Sequence, residues 1–549
     1  MRGPIQQKSW IAPLIVWATG IVAFWFAIIW VWVFRPALVF DGFKVRDGSA
    51  DSAWQTIRLN EMWSFGPTTL WWEHIYPPLY DGMRFLLMQP ETLAGGQPDY
   101  LAVDLRLYFV HSVLFGLTSM IVYLWVRDLT HSGWWALAGA LLWIVVPGSF
   151  SFFVELNQTG LAIAAMAVAL YFLYRFCRTR KAGYAMAFFA AILVASLTRN
   201  VVQIHVLAVL IVAAVTFWWI SSNRQIRTLV ANLLLVALIA FWPARAFMLY
   251  ATFDVSTHTG YNRAGALWIN PLDVPEYVPG EAKRVYKEYA KAAKSLNNPA
   301  ILATLTPTEV QEKRAALVTL EQQWNGVQQQ YPDVNFETAD VYPERLLANA
   351  TKLSSNWNTQ ETLRDNYRLG KVTNDYIFSQ PVEATSSALR SLTVTVPTMF
   401  RSVYVQWSNS FNSSFPGMQA LDWIFSGWRF ALMILVSTGI IIGHFGFRTT
   451  GRLLIRYGWF AAFWVLTAIP VFLSNRYWPT DIPEPIHSEA DRLRALIDIP
   501  IYVTITFAAF LVFRNGYNMR AYRSRRRVDT NAAAASPATR DTAGQDTLT

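Results

Sequence analysis

One cysteine, Cys177, in 549 residues excludes an internal disulfide and any cysteine-based metal cluster. It sits in the run Arg175-Phe176-Cys177-Arg178-Thr179-Arg180-Lys181 and reads as an inert thiol. Charge is also scarce: Asp, Glu, Lys and Arg make up 15% of the chain, against roughly 25% in soluble globular proteins. That shortage argues against an ordinary soluble enzyme. Histidine is thin as well, and the neighbours Glu73 and His74 have no second histidine at ligand spacing, so the sequence implies no metal and no other resident cofactor. Internal repeats of solenoid length are missing. Paired, interrupted apolar segments in matching halves are missing too, which weighs against a transporter.

What the chain has instead is apolar length. Hydrophobic residues reach 54%, with 25 Trp, 23 Tyr and 35 Phe, and amphipathic rings are favoured at membrane boundaries. Apolar runs lie at Trp10 to about Val39, then near 103–126, 134–150, 158–176, 182–198, 202–221, 228–252, 427–446, 454–474 and 497–514. Matched against about 30 Å of hydrocarbon, they predict an all-α polytopic membrane protein with about ten transmembrane helices. The first run exceeds the core of a cleavable leader and reads as a retained anchor. A net charge of +10 does not point to nucleic acid, because the basic residues sit beside the apolar runs rather than on one soluble face. Arg127, Arg175 to Lys181, Arg224/Arg227, Arg448/Arg452 and the tail Arg520 to Arg527 fall in alternate connectors. Lys and Arg accumulate on the cytoplasmic side, so both termini are expected there, in a multi-pass protein of a bacterial plasma membrane.

That orientation leaves two long segments facing outward, a first loop at 40–102 and an insertion at 253–426. The expected organisation is therefore an N-terminal membrane module at 1–252, the insertion at 253–426, C-terminal membrane helices at 427–514, and a basic, disordered tail at 515–549. The insertion carries helix signals. Thr306-Pro307-Thr308-Glu309 combines a cap, a proline at the first helical position and an acid at the third, opening a run to about Gln329. Further amphipathic stretches span Gly280 to Leu296, Glu361 to Tyr376 and Val382 to Leu392, with Pro381 breaking between the last two.

Chemistry points to the first loop. Asp51 stands where Gly48-Ser49-Ala50-Asp51-Ser52 turns toward Ile57, Leu59 and Met62 at helical spacing, with Ser52 and Gln55 shaped like a capping box. As an isolated residue Asp51 reads more readily as a helix cap. Downstream, Trp71-Trp72-Glu73-His74-Ile75-Tyr76-Pro77-Pro78-Leu79-Tyr80 sets aromatics beside two prolines that stiffen the backbone and let a helix begin after them. Taken together, Asp51, the helical stretch with Glu61-Met62, and Pro77-Pro78-Leu79 resemble the GT-C glycosyltransferases. The closest likeness is to protein O-mannosyltransferases and to the lipid A aminoarabinose transferase. Two departures stand out: Asp51-Ser52 replaces an Asp-Glu pair, and Tyr76 replaces a Lys before the diproline.

The resemblance implies transfer of a hexosyl or pentosyl group from a polyprenyl-phosphate sugar to an envelope acceptor (lipid, glycan or protein) at the outer face, among membrane lipids. It implies Asp51 as the base and cations for the leaving phosphate. Arg199, Arg492 and Arg494 are the candidates, since a planar guanidinium grips phosphate with two hydrogen bonds. Tyr76, Pro77, Pro78, Tyr80 and Glu155 are the candidate substrate contacts. His111, inside a run, reads as a bundle hydrogen-bonding residue. The competing readings are an O-antigen ligase or polymerase, a polytopic transporter, and a non-catalytic assembly factor.

Overall fold

The computed structural model describes residues 11–40, 56–93, 95–154, 156, 158–199, 204–251, 256, 259–269, 277–332, 334–343, 346, 349, 359–399, 416–472, 496 and 498–534. Short helical turns aside, the first half runs α1 (Ile11–Phe40), α2 (Leu59–Phe65), α3 (Leu79–Leu87), α4 (Tyr100–Thr130), α5 (Gly133–Val145), α6 (Pro147–Val154), α7 (Gln158–Thr179), α8 (Ala182–Thr198), α9 (Ile204–Ile220) and α10 (Ile226–Tyr250). The all-α membrane architecture is as the apolar runs implied. Five helices are long and apolar enough to cross a membrane: α4, α7, α10, Gly427–Leu453 and Ile499–Gly516.

A sixth span forms if α5 and α6 are taken together across a 59° bend. Pro147 has no N–H to continue the ladder and forces the residue before it out of helical geometry. Val146 accordingly sits at φ −71, ψ 122. Ala18–Val33, α8, Val206–Ile220 and Gly458–Ala468 are apolar but shorter. The 17 residues of α8 make about 25 Å at the usual rise, less than a full hydrocarbon thickness. Five full-length spans, or six with the bent pair, are thus found among the described residues, and the expected count of about ten is not confirmed.

The bundle is organised around α4 and α7. α4 packs on α1, α5 and α7, while α7 packs on α8, and α8 on α10. Their buried faces merge into one core containing Ala27, Phe115, Trp143, Met166, Phe176, Phe189 and Phe217. Gly116 lets α1 approach α4: a Cβ there would fall 2.8 Å from the Phe24 ring. Large residues on the opposite faces, such as Phe109, Val212 and Leu234, are exposed, as lipid contact requires of a helix bundle.

The insertion is helical. It contains α11 (Thr259–Ala266), α12 (Gly280–Leu296), α13 (Pro307–Gln330), α14 (Gln360–Ser379), α15 (Pro381–Met399) and α16 (Pro416–Ile424). The expected capping box is formed, with Thr306 and Glu309 bonding each other's backbone N–H. Two-residue strands β1 (Tyr277–Val278) and β2 (Asp340–Val341) pair in parallel and close the α12/α13 hairpin at its base. α15 packs on the helices that follow, α17 (Gly427–Arg456) and α18 (Gly458–Phe472), so the insertion rests on the bundle. α17 bends at Gly446, which has φ 72.

The last helix, α19 (Ile499–Ala534), packs on α4, α5 and α17. It continues through Arg520 to Arg527, so most of the 515–549 segment is helical where the sequence suggested a disordered tail. Arg, Ala and Met are good helix formers, and an established helix adds such residues at little cost. Residues 535–549 lie outside the described residues.

Candidate active site

The diproline behaves as its chemistry dictates. Pro78 sits at φ −81, ψ −4 as the residue preceding α3, and Leu79 begins the helix. Tyr76, Pro77 and Tyr80 are buried and Pro78 is half-buried. The segment before the prolines is tied down through its own carbonyls. Arg245 donates to the carbonyl of Trp71. Tyr250 Oη donates to that of Trp72 at 2.6 Å, and Ser256 Oγ to that of Ile75. A loop with no regular ladder is thus held against the end of α10.

Beneath it lies a buried ionic cluster. Asp81 and Arg84, one turn apart on α3, form an ion pair with both side chains almost wholly enclosed. The other Asp81 oxygen accepts from the Ile57 N–H at 3.1 Å, and Arg84 Nη1 donates to the Ile57 carbonyl at 2.8 Å. One pair therefore fixes both the start of the α2 region and the first turn of α3. Glu73 hydrogen-bonds Asp81. Burial, then the charge of Asp81, pushes the Glu73 carboxyl well above the usual carboxylate range.

Asp81 is taken up by Arg84, and no ion pair to Arg245 forms among the described residues, where Glu73 acts on it only through its charge. Aromatic faces take that place: the guanidinium carbon lies 4.1 Å from the Trp242 ring centroid and 5.6 Å from those of Trp71 and Tyr250. Arg245 Nε and Nη1, and Arg84 Nε and Nη2, make no hydrogen bond among the described residues. Two guanidiniums with donors to spare are suited to holding negative charge.

A second polar group adjoins the first through Tyr80. Its ring meets that of His111 at 5.9 Å. Gly160 stands on the far side of His111, where a Cβ would come within 3.3 Å of His111 Nδ1 and 2.9 Å of the Phe152 carbonyl oxygen. Next to Gly160, Thr159 Oγ1 accepts from Arg199 Nη1 at 2.5 Å. Arg199, leaving α8 in extended geometry, is 2% exposed. The structure thus connects Tyr80 to Arg199 through His111 and the start of α7, at the end of the bundle that holds the ionic cluster.

Asp51, Glu155, Arg492 and Arg494 lie outside the described residues, as does the capping box expected at Ser52 and Gln55. The described helix of the first loop begins at Leu59, after Arg58, whose side chain makes no cap bond. Sequence reasoning passed over Asp81, Arg84 and Arg245, although signals existed. Asp81 and Arg84 follow the diproline at i, i+3 spacing, and Arg245 is a lone charge in the apolar run Phe241-Trp242-Pro243-Ala244-Arg245. Glu73 and His74 were weighed only as metal ligands. The structure turns Glu73 toward Asp81 and packs His74 on Tyr250 at 5.4 Å.

At the opposite end of the bundle the arginine-rich connectors meet. Asp128 pairs with Arg175 at 2.6 Å, and Arg180 reaches Ser222 and Arg456. The two ends thus differ in kind, one enclosing acids together with its arginines and the other gathering cations.

Residues 102–247, which span α4 to α10, match the family model of dolichyl-phosphate-mannose-protein mannosyltransferase. The match bears out the resemblance to GT-C glycosyltransferases and supports a membrane glycosyltransferase. No curated protein matches the chain.

Proposed function

We propose that this chain transfers one sugar from a polyprenyl-phosphate donor to a hydroxyl of a cell-envelope acceptor at the extracytoplasmic membrane face. The observation that carries the reading is the family match across α4 to α10, the helices that also hold His111, Thr159, Arg199 and Arg245. The family's description names a lipid-phosphate sugar as donor and protein as acceptor. For this chain we keep the donor class and leave the acceptor as an envelope molecule. Orientation follows from the arginine-rich connectors, whose end is the cytoplasmic one by the positive-inside bias. The Glu73/Asp81 end then faces outward.

In this reaction the acceptor oxygen bonds to the anomeric carbon of the sugar as that carbon's bond to the phosphate oxygen breaks. The acceptor proton goes to Asp51, and the phosphate leaves on its lipid carrying the bonding electrons. Arg199 steadies the charge that grows on the leaving phosphate, with Arg492 and Arg494 completing the cationic set. The well-tied segment Tyr76, Pro77, Pro78 and Tyr80 forms the floor on which the sugar rests, and Glu155 contacts substrate. The helical insertion covers the site or selects the acceptor. A rigid floor matters because transfer depends on holding two reactants in line.

The test is sugar transfer by purified protein supplied with polyprenyl-phosphate sugars, comparing wild type with Asp51→Asn and Arg199→Lys. Asp51→Asn is expected to abolish transfer, and Arg199→Lys to lower turnover by about 10²-fold. Undiminished transfer by Asp51→Asn rejects the base. Failure of the wild type with every such donor rejects the donor class.

A further inference from the structure

Three arginines meet at the end of the bundle remote from the proposed active site, and none pairs with a carboxylate among the described residues. Arg178 Nη1 donates to the Asp128 carbonyl at 2.7 Å. Arg180 Nη2 donates to the Arg456 carbonyl at 3.2 Å, and Arg456 Nη2 to the Arg178 carbonyl at 2.7 Å. The nearby acid, Asp128, is taken by Arg175 and by Tyr171 Oη at 3.2 Å. Buried Nη1 of Arg180 makes no hydrogen bond among the described residues. Like charges so arranged repel, and backbone carbonyls offset only part of the repulsion.

The backbone at Arg180 is also in a costly conformation. It has φ 58, the left-handed region that glycine occupies freely and a side chain does not. This residue closes α7, with its N–H bonding the Phe176 carbonyl at 2.7 Å and its own carbonyl taking the Ser222 N–H at 2.9 Å. Glycine would serve that closing role better. A long cationic side chain at a glycine position, locked over the Phe176 ring at 5.7 Å, suggests that the guanidinium itself is used.

We propose that Arg178, Arg180 and Arg456 form a binding site for the phosphate of an anionic phospholipid headgroup. A phosphate group bridges guanidiniums from α7 and α17 with paired hydrogen bonds and supplies the missing negative charge. A lipid is favoured over free phosphate because acyl-chain surface adjoins the cations. Ile455, the residue before Arg456, is 85% exposed, and nearby in sequence to Ser222 the Arg224 guanidinium lies 4.7 Å over the exposed Trp219 ring. Bound there, the headgroup ties the end of α7 to the junction of α17 and α18. The site stands apart from the transfer reading and does not depend on it.

The full-length protein is placed in nanodiscs of phosphatidylcholine alone or with added phosphatidylglycerol, and retained lipid and the unfolding temperature are measured. Phosphatidylglycerol is expected to be retained and to raise the wild-type unfolding temperature, whereas inorganic phosphate added to phosphatidylcholine discs is not. Arg456→Gln should weaken retention roughly five-fold, the worth of one surface cation. The decisive variant is Arg180→Gly, which relieves the backbone and removes the whole side chain, guanidinium included. It should fold at least as stably in phosphatidylcholine yet lose most of the phosphatidylglycerol response. Arg314→Gln, on the exposed surface of α13, should keep it. A full response retained by Arg180→Gly and Arg456→Gln overturns the site, as does an equal loss in Arg314→Gln. A wild-type response to inorganic phosphate as large as that to phosphatidylglycerol overturns the lipid assignment.

Discussion

Glu73 and Asp81 differ less in chemistry than in what surrounds them, and that difference separates their variants. Asp81 carries the charge that Arg84 and the Ile57 N–H need. Asp81→Asn leaves a buried guanidinium unpaired and is expected to cost roughly 3–5 kcal/mol, read from thermal unfolding in detergent. The fold favours the neutral form of Glu73, so Glu73→Gln keeps its shape and a donor and should cost much less. The sign of the pH effect follows from the raised pKa of Glu73. The unfolded chain loses this proton near the ordinary 4.5, while the fold holds it to higher pH. The contribution of Glu73 is therefore complete below that pH and falls as pH rises toward its folded pKa. Stability of the wild type should decline across that window more steeply than that of Glu73→Gln. Equal slopes would mean that Glu73 ionises in the fold.

At the scale of elements, one buried cation secures the α12/α13 hairpin. Lys283 Nζ donates to the carbonyls of Phe336, of Glu337 at 3.2 Å and of Ala339 at 2.8 Å, beside a small core of Val278, Phe336 and Trp324. Lys283→Met leaves these carbonyls without their donor and should cost about 1.5–3 kcal/mol. The loss should appear as faster amide exchange confined to 277–341, with the α4/α7 core unchanged. The parts of the fold that were legible in the sequence are those with local causes. α13 was readable because Thr306, Pro307 and Glu309 lie within one turn, and α1 and α4 because lipid demands unbroken apolar length. The ionic cluster was not, because its members meet across great separations: Arg245 reaches Trp71 over 174 residues. Local pattern offers Asp81 and Arg84 only an i, i+3 spacing and Arg245 only a lone charge in an apolar run, and neither marks a site by itself. Only the docking of the diproline segment on the end of α10 makes them one cluster. The α5/α6 bend lay between these cases, since Pro147 was visible but its 59° consequence depends on packing.

For the whole molecule, the unequal ends of the bundle make orientation a measurable property. The connectors bearing Arg175 to Lys181 and Arg456 interlock at one end, while Leu93, 84% exposed, belongs to the loop that precedes α4 at the other. Removing the single native thiol by Cys177→Ala gives a background in which an introduced cysteine reports its side of the membrane. In intact cells a membrane-impermeant maleimide should label Leu93→Cys and should reach Ser222→Cys only after permeabilisation. The reverse pattern would put the Glu73/Asp81 cluster in the cytosol, away from an extracytoplasmic acceptor, and the proposed reaction would lose its compartment. Labelling of both sites in intact cells would mean that α4 to α9 do not separate them by a membrane, against the lengths of α4 and α7. The expected pattern would make the cation-rich end cytoplasmic, where arginine excess is ordinarily retained, and would leave the tied-down diproline floor facing the lipid-linked donor.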